Sequence, residues 1–134
     1  MCLILFLYDA HPGYRLILGA NRDEFYERPT APLGYWQENT AAAAAGAAPI
    51  LAGRDLKGGG TWMGMTLAGR FAALTNFRDP SSNRGDAPSR GALVKDFLEQ
   101  RDRPLAYLER IAKGGAAYNG FNLQIGRASC RERV

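Results

Sequence analysis

Met1-Cys2-Leu3-Ile4-Leu5-Phe6-Leu7-Tyr8 opens the chain, and Arg15-Leu16-Ile17-Leu18-Gly19-Ala20 repeats its apolar character before the run Asn21-Arg22-Asp23-Glu24. Residues 3–8 are short and wholly apolar, the pattern of a buried strand. Residues 9–13 include Asp9, Pro12 and Gly13, which favour a turn. Together the two runs predict a hairpin whose second strand ends on Arg22, Asp23 and Glu24. If its register sets residues 20–23 beside Cys2 and Leu3, that ionisable cluster meets the start of the chain. In an extended chain neighbours alternate faces, so Arg22 and Glu24 share one side and Asn21 and Asp23 the other.

Further along, Pro29 and Pro32 predict an extended surface passage, and the alanine-rich residues 41–48 a variable loop. Residues 50–52 read as a short strand, and Gly58-Gly59-Gly60 as a turn. Residues 61–66 and 70–75 read as a hairpin around Leu67-Ala68-Gly69. After a polar loop over residues 79–88, Ser89 is the expected cap of a helix with Leu93, Val94, Phe97 and Leu98 on one face. Asp102 and Pro104 start a second helix, with Leu105, Leu108 and Ile111 expected inward and Gly114 at its end. Residues 121–124 read as a strand cut short. Strands, then helices, then a strand imply an α+β fold in which helices cover a mainly antiparallel sheet. No repeat of solenoid length is present.

At 134 residues the chain is long enough for one domain, and 46% hydrophobic content is that of a folded protein. No apolar run approaches the ~20 residues of a transmembrane helix, so no transmembrane segment is expected. No basic region precedes residues 3–8, which excludes a secretory signal. Ile125-Gly126-Arg127-Ala128-Ser129-Cys130-Arg131-Glu132-Arg133-Val134 is one reading frame of a common sequencing-library adapter. Residues 125–134 are therefore expected to be a non-native read-through tail, which leaves an incomplete domain over residues 1–124. Removing the tail's three Arg and one Glu from the 17 basic and 13 acidic residues leaves 14 and 12, a net of +2. That balance gives no case for nucleic acid as a partner. Cys130 leaves with the tail, and a lone Cys2 excludes an intrachain disulfide or a thiolate zinc cluster. A single cysteine suits a reducing compartment, and a cytoplasmic location is expected.

Each candidate site residue has a functional and a structural reading. Removal of Met1 before a small residue would give Cys2 both a thiol and an α-amine, nucleophile and base in one residue; otherwise Cys2 is a small core residue. Asp23 would orient the amine, and Arg22 would hold a substrate carboxylate or favour the thiolate; otherwise residues 21–24 form a solvated turn. Asn76 would donate to an oxyanion and Arg78 bind an acid group; otherwise they are a strand-end cap and a solvated arginine. Residues 118–122 offer similar amides or simply an Asn119-Gly120 turn. Gly58-Gly59-Gly60-Thr61 lacks the lysine of a phosphate loop. His11, the one histidine, precedes a proline and reads as structural. Trp36, Trp62, Phe71 and Phe77 read as core or pocket wall.

Taken together, several stretches resemble one family. They are Met1-Cys2-Leu3-Ile4, Ala20-Asn21-Arg22-Asp23-Glu24-Phe25, Leu51-Ala52-Gly53-Arg54-Asp55, Gly59-Gly60-Thr61-Trp62-Met63-Gly64, residues 73–80, Ser89-Arg90-Gly91 and Gly120-Phe121-Asn122-Leu123. In this order they are similar to the NRDE family, named for the tetrapeptide at residues 21–24 and including the transport and Golgi organisation proteins. The alanine-rich residues 41–48 and the abrupt end depart from its pattern. The resemblance implies an N-terminal-nucleophile (Ntn) hydrolase-like αββα sandwich, here truncated to its N-terminal part. It also implies an amidase-like site for a non-peptide C–N bond. Cys2 is then nucleophile and base, Asp23 the orienting acid, Arg22 the support for thiolate or substrate and Asn76 the oxyanion donor. Asn21, Arg78 and Trp62 would contact substrate, with no metal and no cofactor. The alternative it implies is a non-catalytic haem or acyl-lipid binding or trafficking protein. A small-molecule amide, acyl compound or haem is the expected ligand.

Overall fold

A computed structural model describes residues 2–36, 46–77, 79–81 and 83–127. The two opening apolar runs form β1 (Leu3–His11) and β2 (Tyr14–Asn21), an antiparallel two-stranded sheet. Leu3 pairs with Asn21 and Ile4 with Ala20. The turn is tighter than residues 9–13 predict, because β1 continues to His11. The register shifts between Tyr8 and His11, and Asp9 takes a positive φ of 49° there, as an irregular strand end allows.

Contrary to expectation, residues 3–8 are not buried. Leu5 is 59% and Leu7 53% exposed, and Leu16 and Ile17 on β2 are exposed too. A two-stranded sheet has two faces, and no described element covers the outer one. Phe6 meets the larger sheet edge-on at Phe71, with ring centroids 5.7 Å apart.

That larger sheet is an antiparallel meander of β3 (Thr30–Tyr35), β4 (Ile50–Asp55), β5 (Met63–Thr66), β6 (Arg70–Asn76) and β7 (Phe121–Arg127). The proline-marked passage is thus an edge strand. Pro32 lies where the register slips between Ala31 and Gly34, an edge position at which a missing N–H is tolerated. Of the alanine-rich loop, residues 41–45 lie outside the described residues. The β5–β6 turn falls at the expected Leu67-Ala68-Gly69, where Gly69 supplies φ 78° and donates its amide to the Thr66 carbonyl at 2.9 Å. β7 is longer than predicted and pairs with β6 from Asn76↔Phe121 to Arg70↔Arg127. Its last three residues, Ile125, Gly126 and Arg127, make backbone ladder bonds open to any non-proline sequence. Cys130 lies outside the described residues.

α1 (Gly91–Glu99) buries Leu93, Val94, Phe97 and Leu98, the four residues its period selects. They pack on Ile50, Ala52, Ala72 and Leu74. The cap differs from expectation. Arg90 is the N-cap without a side-chain bond, and Ser89 contributes its carbonyl to the Ala92 amide at 3.2 Å. α2 (Pro104–Gly114) runs into a short 3-10 turn, Gly115–Ala117. Its inward residue is Tyr107, whose ring lies 5.2 Å from that of Phe97 and whose hydroxyl donates to the Leu93 carbonyl at 2.7 Å. This corrects the predicted face. Leu105 (69% exposed) and Leu108 point outward, while Ile111 is partly buried against the core.

Alternation along β6 puts Ala72 and Leu74 under the helices and Phe71 toward β1–β2. The fold is therefore α+β, with helices on one face of the five-stranded sheet and the hairpin on the other. Arg70 joins sheet to helix. Its Nε and Nη2 donate to the Phe97 carbonyl at 3.0 and 2.8 Å, and Nη1 donates to that of Asp102 at 2.9 Å. A cation thus meets the negative end of α1. Burial, with Arg127 next, holds its guanidinium below the ordinary arginine range, against the pull of Asp102.

Candidate functional site

The register of β1–β2 brings the start of the chain to the end of β2. Asn21 Oδ1 accepts the Leu3 amide at 3.1 Å, which fixes that end of the hairpin. Beyond it, Cys2 Sγ accepts the Asp23 amide at 3.3 Å. Cys2, Arg22 and Asp23 are all partly buried. They form one wall of a cavity of about 650 Å³, whose other walls include Trp62, Asn76 and Arg90.

Of the residues singled out from sequence, Cys2, Arg22, Asp23, Trp62 and Asn76 line this cavity. Asn21 does not line it, and Arg78 lies outside the described residues. His11 is in the β1–β2 turn, where its Nδ1 accepts the Gly13 amide at 3.1 Å. Trp36 packs on the core and donates from its indole to the Ala52 carbonyl at 3.2 Å. Phe71 meets the hairpin. Phe77 is 59% exposed, which corrects its reading as core or wall.

Arg22, expected to face substrate, is paired with Glu24 at 3.4 Å. Glu24 also faces Arg28 at 3.8 Å. Arg28 makes a two-pronged contact with Asp55, 2.7 Å from Nη2 and 3.2 Å from Nε. Burial raises the Asp55 carboxyl, but the Arg28 hydrogen bond and the amides of Gly58 and Lys57 outweigh it and hold it below the usual carboxylate range. The Gly58-Gly59-Gly60 turn wraps that carboxylate. Gly59 takes φ 71° and donates to the Asp55 carbonyl at 2.7 Å. Gly60 passes so close to α1 that a Cβ would stand 2.5 Å from the Gly91 carbonyl group.

Sequence reasoning gave no role to Asp55, Arg84 or Arg90, all of which line the cavity. Asp55 and Arg90 sit in Leu51-Ala52-Gly53-Arg54-Asp55 and Ser89-Arg90-Gly91, so those two motifs were the available signal. Arg84 carried none. Asn119 clamps the backbone of Arg84, accepting its amide and donating to its carbonyl at 2.8 Å each. The site thus offers a thiol beside a backbone N–H donor, a Trp wall, and guanidinium groups from three segments. Among the described residues no group of three or more His, Cys, Asp or Glu could hold a metal ion, and no helix is long and apolar enough to cross a membrane.

Fold and site define an α+β protein with a thiol- and arginine-lined cavity where its hairpin meets the larger sheet. The chain belongs to the Transport and Golgi organisation 2 family, whose model matches residues 1–134, and the NRDE label is a related name. It is 44% identical over 130 residues to the bovine "Transport and Golgi organization protein 2 homolog" and 43% to the human one, covering 92% of this chain and 44% of each relative. The Drosophila melanogaster "Transport and Golgi organization protein 2" is 36% identical over 149 residues, covering all of this chain and 50% of the relative. The chain therefore spans half or less of the length of these relatives.

Proposed function

We propose that this chain is the ligand-holding part of a transport and Golgi organisation protein, taking a small polar molecule into the Cys2 cavity without consuming it. The observation that carries this reading is the convergence of Cys2, Arg22, Asp23, Trp62 and Asn76 on one cavity of about 650 Å³. The names of the relatives supply the transport theme. Leu74 and Trp62 are the larger apolar side chains of the lining, set among charged groups. That lining suits a polar ligand better than a haem macrocycle or an acyl chain, which need an apolar enclosure. A cytoplasmic setting belongs to the same reading, since a free cysteine at a functional site keeps its thiol there. The test is to incubate the purified chain with a pool of polar metabolites, isolate it and identify retained molecules by mass spectrometry. Stoichiometric retention that survives Cys2→Ala supports the reading; release of a cleaved product overturns it.

A second reading, an Ntn-type amidase, is favoured by one contact, the Asp23 amide donating to Cys2 Sγ at 3.3 Å. In it the thiol adds to an amide carbonyl, the amine leaves with the thiol's proton, and water then cleaves the thioester to acid and thiol. The α-amine of Cys2 carries the proton, so the step requires removal of Met1. The Ntn-like αββα assignment goes with this reading, as does Asn76 as oxyanion donor. An intact mass retaining Met1, or amine release from N-acyl amino acids unchanged in Cys2→Ala, excludes it.

A further inference from the structure

The cavity lining carries five arginines and Lys57 against three carboxylates, Asp23, Glu24 and Asp55, a surplus of positive charge. Two of the lining carboxylates already face cations: Glu24 faces Arg22 and Arg28, and Asp55 faces Arg28. Across the cavity, the segment leading into α1 carries Arg84 and Arg90, and both are held by neutral groups. Arg84 Nη2 donates to the carbonyls of Ala116 and Ala117 at 3.0 and 2.5 Å. Arg90 Nη1 donates to the Gly120 carbonyl at 2.8 Å. Among the described residues neither makes an ion pair. Backbone carbonyls fix where these groups point without neutralising them. Arg84 is also anchored at its backbone by Asn119, so its position does not depend on a ligand.

Two further features act on the same wall. Burial pulls the Arg90 guanidinium below its ordinary range, and the charge of Glu24 opposes that only in part. A partly desolvated cation that remains charged gains more from an anion than a hydrated one does. α1 begins at this wall with no acidic residue in its first turn, so its positive end adds to the field. Lys57, exposed, contributes a further cation to the lining.

We infer that the cavity takes an anionic ligand, a molecule bearing a carboxylate or phosphate group whose charged end is held by Arg84 and Arg90 while its remainder extends toward Cys2. This deepens the ligand-holding reading and rests on it. It moves acid recognition from Arg22, which Glu24 occupies, to guanidiniums whose hydrogen-bond partners are neutral. A guanidinium fork binds either oxyanion in a planar, directional way, which an ammonium does not reproduce.

The test uses the full chain and reads Cys2 directly. Alkylation by iodoacetamide is followed by peptide mass spectrometry, with glutathione added to the same tube as the reference thiol. Pyrophosphate, citrate and the neutral sugar maltose are titrated separately at matched ionic strength. Saturable slowing at Cys2, with the glutathione rate unchanged, is expected from pyrophosphate, citrate or both. The first identifies a phosphate ligand and the second a carboxylate. Arg90→Met and Arg84→Gln should each raise the half-protecting concentration about tenfold, the loss expected when one charge-assisted hydrogen bond is removed. Arg90→Lys should recover part of it. A thermal midpoint within a few degrees of the parent qualifies each variant, and Arg84→Gln carries the test if Arg90→Met does not fold. No protection by either anion, protection by maltose alone, or protection by anions that both neutral variants leave intact, overturns the clamp. If a polar ligand is still retained from the metabolite pool, the cavity remains a ligand site and only the anionic assignment falls.

Discussion

Gly60 shows how a single hydrogen atom sets the shape of the site. Its α-carbon passes beneath the first turn of α1, and a methyl group there would meet backbone rather than a movable side chain. Gly60→Ala must therefore push α1 off the sheet or distort the turn around Asp55. We expect it to cost about 1–3 kcal/mol, as other overpacked sites do. Gly85 is the control, since a Cβ there finds nothing within 4 Å. Urea denaturation should show a lower midpoint for Gly60→Ala and no change for Gly85→Ala. Asp55 gives the matching electrostatic case. Its folded carboxyl lies below its unfolded value, so its contribution to stability is present above the unfolded value and fades as pH falls through the folded one. Asp55→Asn should lower stability at neutral pH and flatten the loss of stability below about pH 4. Denaturation midpoints measured from pH 7 down to pH 2 check this; parallel curves for parent and variant would count against it.

α2 separates what its pattern shows from what its packing decides. Leu105, Leu108 and Ile111 lie within one arc, yet the inward position belongs to Tyr107. Tyrosine has an apolar body and a polar tip, and it turns inward here because the Leu93 carbonyl accepts its hydroxyl. Burial pushes that hydroxyl's pKa up to about 12, so it stays a donor across the ordinary pH range. Tyr107→Phe should cost about 1 kcal/mol, one buried hydrogen bond, while Leu105→Ala should change stability by less than about 0.5 kcal/mol. Equal losses in the two variants would restore the leucine face. α1 was legible because all four inward residues are aliphatic or aromatic hydrocarbon. β3 was not, because its proline reads as loop until an edge and a register slip are known to accommodate it. The same holds at the site. Local hairpin pairing brings Cys2 to Asp23, which the sequence indicated on condition of the register that the hairpin takes. Asp55, Arg84 and Arg90 reach the cavity only through the meander and the crossing at Gly60, which no local pattern encodes.

At the scale of the molecule, the two layers differ in how they are held. The five-stranded sheet and its helices enclose buried Ala72, Leu74, Phe97 and Tyr107, whereas β1–β2 leaves most of its large side chains exposed. A two-stranded sheet with little cover has marginal stability of its own. Opening of β1–β2 should therefore be a local event, separable from global unfolding. In hydrogen exchange, the amides of β1 and β2 should exchange at least about tenfold faster than those of β5 and β6, and Phe6→Ala should widen the gap. Equal protection across both sheets would make the hairpin part of the main cooperative unit. This bears on the cavity, because Cys2, Arg22 and Asp23 ride on the hairpin while Arg84 and Arg90 belong to the other layer. A ligand that touches both walls binds the closed arrangement better than the opened one, and so must slow hairpin exchange by mass action. Adding pyrophosphate or citrate should slow exchange in β1 and β2 and leave β5 unchanged. A ligand held by the arginine wall alone would slow neither strand, so the same measurement shows whether the anion's remainder reaches Cys2.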